Sequence, residues 1–392
     1  MPIDRSHALD HVVLVLFENR SLDNVLGHLY GPEDGKTFEG VIGKGLSNPI
    51  PEWAEHGAEC KTVPYTVGTD MDAPNPDSGE EYFHTNTQLF NILDEHNRFK
   101  IGERVTAPWN APEPGAVPSM DGFVTDYIST FTAEVGRQPT YEEYAQIMTG
   151  YTPEQVPVLN ALAKGFGVFD HWFCEVPSQT LMNRSFWTAA TSSGFVINKP
   201  ASNFINHNTA ETLFERLEAH GRTWKVYVQE PMSFSAVALI HMPRLKNRLA
   251  TNFVPFSEFE DDVANGTLAD FSMIEPNLIM GHSDYHPAVS RALGALSSSP
   301  STRRRQSWAA RRSWPGSIRR SGRPLLRRAP TRTTRCSSSV GTSPAAPTTT
   351  SRQGRCLHRT RAHQPARWTS NLTAPATGCR RSSSRHGWMK GS

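Results

Sequence analysis

Apolar residues in this chain fall into short, strand-like runs separated by segments with helical spacing. Residues 11–18 (HVVLVLFE) are almost continuously apolar and rich in β-branched side chains, the pattern of a strand buried on both faces. Ser21 is placed to cap a helix whose apolar positions are Leu22, Val25, Leu26 and Leu29. The chain therefore opens with a strand, a tight turn and a helix. Residues 31–77 are rich in Gly, Pro and acidic side chains and read as a long surface excursion.

Helical periodicity returns at residues 80–93 and at 153–164 (PEQVPVLNALAK), where Thr152 is the expected cap. Residues 167–173 read as a second buried strand, followed by a helix from Thr180 to about Ser193 that stops at Gly194. Residues 210–220 (AETLFERLEAH) predict another helix ending at Gly221, and 223–228 (TWKVYV) and 270–275 (DFSMIE) predict two more strands. Strands alternating with helices imply an α/β fold, with a mainly parallel sheet between helices. No internal repeat is present.

In such sheets ligands gather beyond the carboxyl ends of the strands. Glu18 and Asn19 stand at that end of the first strand and offer a carboxylate and an amide oxygen, both suited to a divalent cation. An ordinary surface pair between Glu18 and Arg20, with Asn19 capping the turn, accounts for the dipeptide equally well. Residues 177–184 (PSQTLMNR) follow a predicted strand and open a helix. A hydroxyl there meets unpaired backbone N–H groups and the positive helix end, an arrangement suited to phosphate and to a phosphorylated intermediate. Thr180 is the candidate nucleophile, and a simple Ser/Thr cap is the alternative. His84 (in EYFHTN) and His286 (in SDYHP) could each donate to a phosphoryl oxygen or leaving group. Either could instead be a structural imidazole.

Read in order, FENRSLDNVLG, MDGFVTDY, FDHWFCEVPSQTLMNRSFWTAATSSG, MIEP and SDYHP resemble the phosphoesterase family of bacterial phospholipases C and acid phosphatases, over about Asp10 to Arg291. The resemblance implies an alkaline-phosphatase-like fold and a divalent metal ion, of unspecified identity, bound by Glu18 and Asn19. It further implies a nucleophile at Thr180 with Asn183 beside it, and active-site histidines at His286 and, less directly matched, His84. Ser178, Gln179 and Met182 replace the Gly and Pro residues usual around the nucleophile, marking a divergent branch. The implied substrate is a phosphate ester, either a phosphomonoester or a phospholipid head group.

Composition changes this picture at one point. The formal charge of the 392 residues is only +2, but from Ser297 onward there are 20 Arg and 1 Lys and no Asp or Glu. The part before it holds 19 basic and 38 acidic residues, so the two parts carry +21 and −19. All 19 Phe and all 9 Tyr also lie before Ser297. Residues 1–296 are thus expected to form a phosphoesterase domain lacking its C-terminal part, and 297–392 a disordered basic tail. The family's later DExGGxYDHV-like segment, whose acidic pair completes the metal site, is missing, since no acidic residue follows Asp284.

A shifted reading frame explains the change. When the last base of each codon is joined to the first two of the next, residues 341–354 (GTSPAAPTTTSRQG) can encode Asp-Glu-Pro-Gly-Gly-Thr-Tyr-Asp-His-Val-Pro-Pro. At the same offset, residues 371–391 can encode a second family-like segment. The shift would start between about Arg291 and Ser301. A sequencing error, a pseudogene or a programmed event would each produce it.

The expected function is a metal-dependent phosphoric-ester hydrolase working through a phosphothreonine, inactive in the chain as it stands. The alternative is a polyanion- or nucleic-acid-binding protein using the basic tail, but that tail lacks the aromatic platforms of a single-strand binder, so no specific nucleic acid is expected. No apolar run reaches the roughly 20 residues of a membrane span, and residues 11–17 lack the flanks of a secretory leader. A cytoplasmic location is the expectation in the absence of such a leader. The spacing of the five cysteines matches neither a zinc site nor a disulfide framework.

Overall fold

The computed structural model describes residues 9–59, 61–230, 235–278 and 284–287. The expectations for 297–392 lie outside the described residues. Eight strands occur among them: β1 (Val12–Val15), β2 (Ser47–Pro49), β3 (Thr62–Pro64), β4 (Thr66–Val67), β5 (Thr149–Gly150), β6 (Trp224–Val228), β7 (Phe253–Pro255) and β8 (Phe271–Glu275). The helices in the first half are α1 (Leu22–Val25), α2 (Tyr82–Phe90), α3 (Phe123–Val135), α4 (Tyr141–Ala145) and α5 (Pro157–Gly165). Those in the second half are α6 (Thr180–Ala189), α7 (Ser202–His207), α8 (Leu213–Ala219), α9 (Ala236–Ile240), α10 (Met242–Leu245), α11 (Leu249–Asn252) and α12 (Ser257–Asn265).

The main sheet has the order β1-β8-β6-β7, and every pairing in it is parallel. This is the mainly parallel α/β sheet that the alternating elements predict. The continuous apolar run of β1 is explained by packing on both faces. Leu14 and Leu16 join Phe214 of α8, Val237 of α9, Leu245 of α10, and Val226 and Met273 on one face. Val13, Val15 and Phe17 join Tyr227, Ile274 and Phe259 of α12 on the other. Ser21 caps α1 by accepting from Asn24 N at 3.2 Å, and Thr212 caps α8 by accepting from Glu215 N at 3.2 Å.

Several expectations are corrected. Residues 167–173 form no strand: Phe169 is 74 % and Trp172 51 % exposed. An apolar run becomes a strand only where a ladder receives it, and none of the strand pairings engages this segment. Residues 31–77 are more than a surface excursion. They contribute β2, β3 and β4, and Ile50 and Val63 pack into a second core with Phe123, Tyr127 and Phe131 of α3 and Tyr144 of α4. Helix α5 starts at Pro157 rather than at a Thr152 cap, because Thr152 O closes a turn with Gln155 N and Val156 N instead. Helix α6 ends at Ala189, with Ala190 in the left-handed conformation, four residues before the expected glycine stop.

Candidate active site

The parallel register brings the carboxyl ends of β1 and β8 side by side, and the site is built there. Glu18, three residues past β1 and 2 % exposed, accepts from Arg184 of α6 through Oε2, with Nε at 3.1 Å and Nη2 at 2.9 Å. Arg184 is fully buried and also donates from Nη1 to Oε1 of Glu275, the last residue of β8, at 3.0 Å. Glu275 in turn accepts from the Ser235 hydroxyl and from Val237 N. Burial raises the Glu275 pKa, and Arg184 opposes that rise. The guanidinium thus ties two adjacent strand ends to α6, and it leaves Glu18 Oε1 facing Thr180 and His286. The surface pairing of Glu18 with Arg20 is not what forms. Arg20 instead donates to the carbonyls of Tyr285, Ala73 and Met71 at 2.8, 2.7 and 3.1 Å, fastening three loops together.

Thr180 opens α6, is 8 % exposed, and donates from Oγ1 toward Glu18 Oε1 at 3.4 Å. The helix begins here because the Asn183 amide holds the preceding loop. Its Oδ1 accepts from Val176 N at 3.1 Å, and its Nδ2 donates to the carbonyls of Val176, Ser178 and Gln179 at 2.9–3.0 Å. Asn183 therefore sits beside Thr180 as the resemblance implies, with its side-chain bonds given to the loop. One of the first-turn N–H groups, that of Leu181, is taken by Asn198 Oδ1 at 2.9 Å. The Ser178 hydroxyl is buried and has no hydrogen-bond partner among the described residues.

Asn19 adopts φ 86°, a left-handed conformation that asparagine tolerates better than most residues. Its Nδ2 donates to Asp77 Oδ2 at 3.0 Å and Glu80 Oε1 at 2.7 Å. In this orientation Asn19 is a donor; the ligand role implied for it uses the other amide orientation, which exchanges O and N. Burial raises the pKa of Asp77, and burial together with Asp77 pushes that of Glu80 up to about 8.

His286 completes the cluster. Its Nδ1 is 2.9 Å from Asp284 Oδ2, and its Nε2 is 3.8 Å from Glu18 Oε1 and 3.9 Å from Glu80 Oε1. Burial disfavours charge on this ring, but the surrounding carboxylates of Asp284, Glu18 and Asp77 together hold its pKa well above the usual histidine value. Two sets, Glu18–Asp284–His286 and Asp77–Glu80–His286, each bring their ligand atoms within 4.8 Å of one another. Carboxylate oxygens with an imidazole nitrogen suit a divalent cation of the zinc or manganese type.

His84 is placed differently. It is buried on α2, with Nδ1 2.8 Å from Asp126 Oδ1 of α3 and 3.3 Å from the Thr130 hydroxyl. Gln88 bridges the same Asp126, at 2.8 Å, to Gly79 O, at 2.9 Å. A Cβ on Gly79 would overlap the His84 ring. His84 therefore braces the back of the loop that carries Asp77 and Glu80. Arg184, Asp77 and Glu80 were not singled out from the sequence. The signal for Arg184 was its place one residue after Asn183, and for the acids their spacing of three residues before a helix.

A model of the phosphoesterase family matches residues 9–312. The chain belongs to the phosphoesterase family. It is 27 % identical over 293 residues to non-specific phospholipase C6 of Arabidopsis thaliana, covering 72 % of this chain and 47 % of that protein. Non-specific phospholipase C1 of the same plant is 28 % identical over 291 residues, covering 72 % and 46 %. Phospholipase C B of Mycobacterium tuberculosis is 24 % identical over 309 residues, covering 74 % and 53 %. The chain spans about half the length of the relatives it matches. No helix among the described residues is long and apolar enough to cross a membrane.

Proposed function

We propose that this member of the phosphoesterase family is built as a metal-dependent phosphoric-ester hydrolase on an alkaline-phosphatase-like fold, acting through a phosphothreonine at Thr180. The observation that carries this reading is the buried Thr180 hydroxyl at the start of α6, 3.4 Å from the Glu18 carboxylate and bordered by the carboxylate–imidazole cluster. Glu18 and Asn19, with Asp284 and His286 beside them, are the residues that would hold the divalent cation. When bound, the cation would neutralise charge on the phosphoryl oxygens and favour the ionised nucleophile.

Thr180 Oγ1 attacks phosphorus in line, a P–O bond to Thr180 forms, and the bond to the leaving alcohol breaks. Glu18 Oε1 is the acceptor at hand for the Thr180 proton. His286, held beside Asp284, faces the same space through Nε2, and the leaving oxygen takes its proton from solvent water. Water then cleaves the phosphothreonine and returns free Thr180. Asn183 positions the nucleophile loop, and His84 braces the opposite wall. The substrate is a phosphomonoester or a phospholipid head group, the second supported by the names of the relatives.

The acid-free tail belongs to a change of frame between residues 291 and 301, supported by the family-like segments encoded at one shared offset. The chain as it stands turns over at least on the order of a thousandfold more slowly than a frame-restored protein, because the later acidic pair is lost. The test compares the two proteins on p-nitrophenyl phosphate and on a phosphorylcholine ester with Mn2+, Zn2+ or Ca2+. Covalent phosphate is located by mass spectrometry after acid quench. Phosphate on Thr180 of the frame-restored protein supports the reading; equal turnover by the two proteins, or label elsewhere, overturns it. The nucleotide sequence across codons 291 to 301 tests the frame change directly.

A further inference from the structure

We propose that Asp77 and Glu80, contributed by the loop before α2, form the acidic limb of a cation seat with Glu18 and His286, so that the described part of the chain holds a divalent ion without the later acidic pair. The inference rests on the metal reading of Glu18 and extends it to residues that the family resemblance does not assign.

The argument starts from His286. Asp284 fixes the ring twice over, accepting from the His286 backbone N at 3.0 Å through Oδ1 and lying 2.9 Å from Nδ1 through Oδ2. A carboxylate on one imidazole nitrogen is the usual way to aim the other at a metal. The other nitrogen, Nε2, faces Glu18 Oε1 at 3.8 Å and Glu80 Oε1 at 3.9 Å. Both separations are too long for hydrogen bonds. Both match two donors sharing one ion at bond lengths near 2.1 Å, which stand about 3 to 4 Å apart.

The charge count points the same way. Glu18 and Asp284, which are buried, and Asp77 and Glu80, which are half-buried, converge on a single imidazole, a concentration of anionic oxygens that a divalent cation would neutralise. Arg184 engages the far oxygen of Glu18, and Arg20 donates to backbone carbonyls and to Asn24 Oδ1 and stands near enough to Asp77 to act on its charge. The limb itself is built rather than incidental. The Tyr127 hydroxyl donates to Pro76 O at 2.9 Å, and Gln88 donates to Gly79 O at 2.9 Å.

The experiment measures Mn2+ alone binding to the metal-stripped full chain, read by the electron paramagnetic resonance of free Mn2+, for wild type and for Asp77→Asn, Glu80→Gln and Glu18→Gln. Wild type is expected to bind, and each substitution to weaken binding tenfold or more. Unchanged affinity in both Asp77→Asn and Glu80→Gln, with loss in Glu18→Gln, overturns this inference and leaves the metal reading of Glu18 intact. Loss in the first two with retention in Glu18→Gln removes that reading and overturns the shared seat. No binding by wild type at millimolar Mn2+ also overturns the inference. Because an isosteric variant can still misfold, the wild-type chain is also loaded with Fe2+ and cleaved with ascorbate and peroxide. Cuts mapped by mass spectrometry should fall near residues 18, 77–80 and 286, and their absence from 76–81 overturns the proposal.

Discussion

The two walls of the site are held by different physics. The sheet wall, from the ends of β1 and β8 and the start of α6, depends on one buried guanidinium between two buried carboxylates. The opposite wall is the loop ahead of α2, which depends on a hydrogen-bonded clamp of His84, Asp126 and Gln88 closing on Gly79. A charge triad gives directional strength, but it fails as a whole when one member is removed. A hydrogen-bond clamp yields locally, because each of its bonds contributes only about 1 kcal/mol. The sheet wall should therefore report on global stability, and the loop wall on the local geometry of its carboxylates.

The largest effect is expected at Thr180, the proposed nucleophile on the sheet wall. In a frame-restored protein Thr180→Ala should abolish phosphoenzyme and lower turnover by at least on the order of a thousandfold, whereas Ser178→Ala should leave phosphoenzyme formation intact. Acid-quench mass spectrometry separates them; the reverse pattern would move the nucleophile to Ser178.

Next comes the triad. Arg184→Leu leaves Glu18 and Glu275 buried without their counter-charge and should cost about 3–5 kcal/mol, lowering the melting temperature by on the order of 10 °C. A melt within about 2 °C of wild type would show that the two walls do not differ in the way described.

Gly79→Ala sharpens the contrast from the loop side. The added methyl meets the His84 ring, and such overpacking costs about 1–3 kcal/mol. Hydrogen exchange should rise in residues 76–90 and stay unchanged in β1 and β8. Faster exchange throughout the sheet would mean that the clamp supports the whole fold.

The effects spread most widely over conditions are in pH, and they have opposite signs on the two sides. On the sheet side, His241 bonds the Thr188 hydroxyl of α6 at 2.6 Å, and burial lowers its pKa to about 4. With the folded value below the unfolded value of about 6.5, its contribution is complete above pH 6.5 and is lost as pH falls toward 4, by up to about 3 kcal/mol. On the loop side, burial disfavours charge on His84, but Asp126 together with Glu81 and Glu134 raises the folded pKa. That contribution is complete below about 6.5 and is lost as pH rises through the folded value. Denaturant melts from pH 4 to 9 should show His241→Gln flattening the acid limb and Asp126→Asn the alkaline limb. If either variant flattened the other limb, the assignment of the two histidines would be reversed.

Local signals were enough for the elements nearest Thr180. The run at β1, the Ser21 and Thr212 caps, and the strands β6 and β8 follow from periodicities and turn chemistry contained within a few residues. Helix α3 shows no such stripe: it is buried over Phe123 to Phe131, with Thr125, Asp126, Ser129 and Thr130 inside alongside its aromatics. A helix enclosed on all sides does not display a 3.6-residue pattern. The segment at 167–173 fails in the opposite direction, because apolar composition alone does not supply a neighbouring strand.

By itself the sequence determined the parallel α/β class, the positions of Glu18 and Thr180 at a strand end and a helix start, and the abrupt loss of acidic and aromatic residues after residue 296. These are local or compositional properties, and they survive without knowledge of any distant contact. Only the tertiary structure decided that Glu18 pairs with Arg184 and not with Arg20, that Asp77 and Glu80 face His286 across some 200 residues of chain, and that His84 braces a loop. Those outcomes depend on which buried charges meet. Burial makes such meetings decisive, since a carboxylate removed from water must find a partner wherever the fold has placed one.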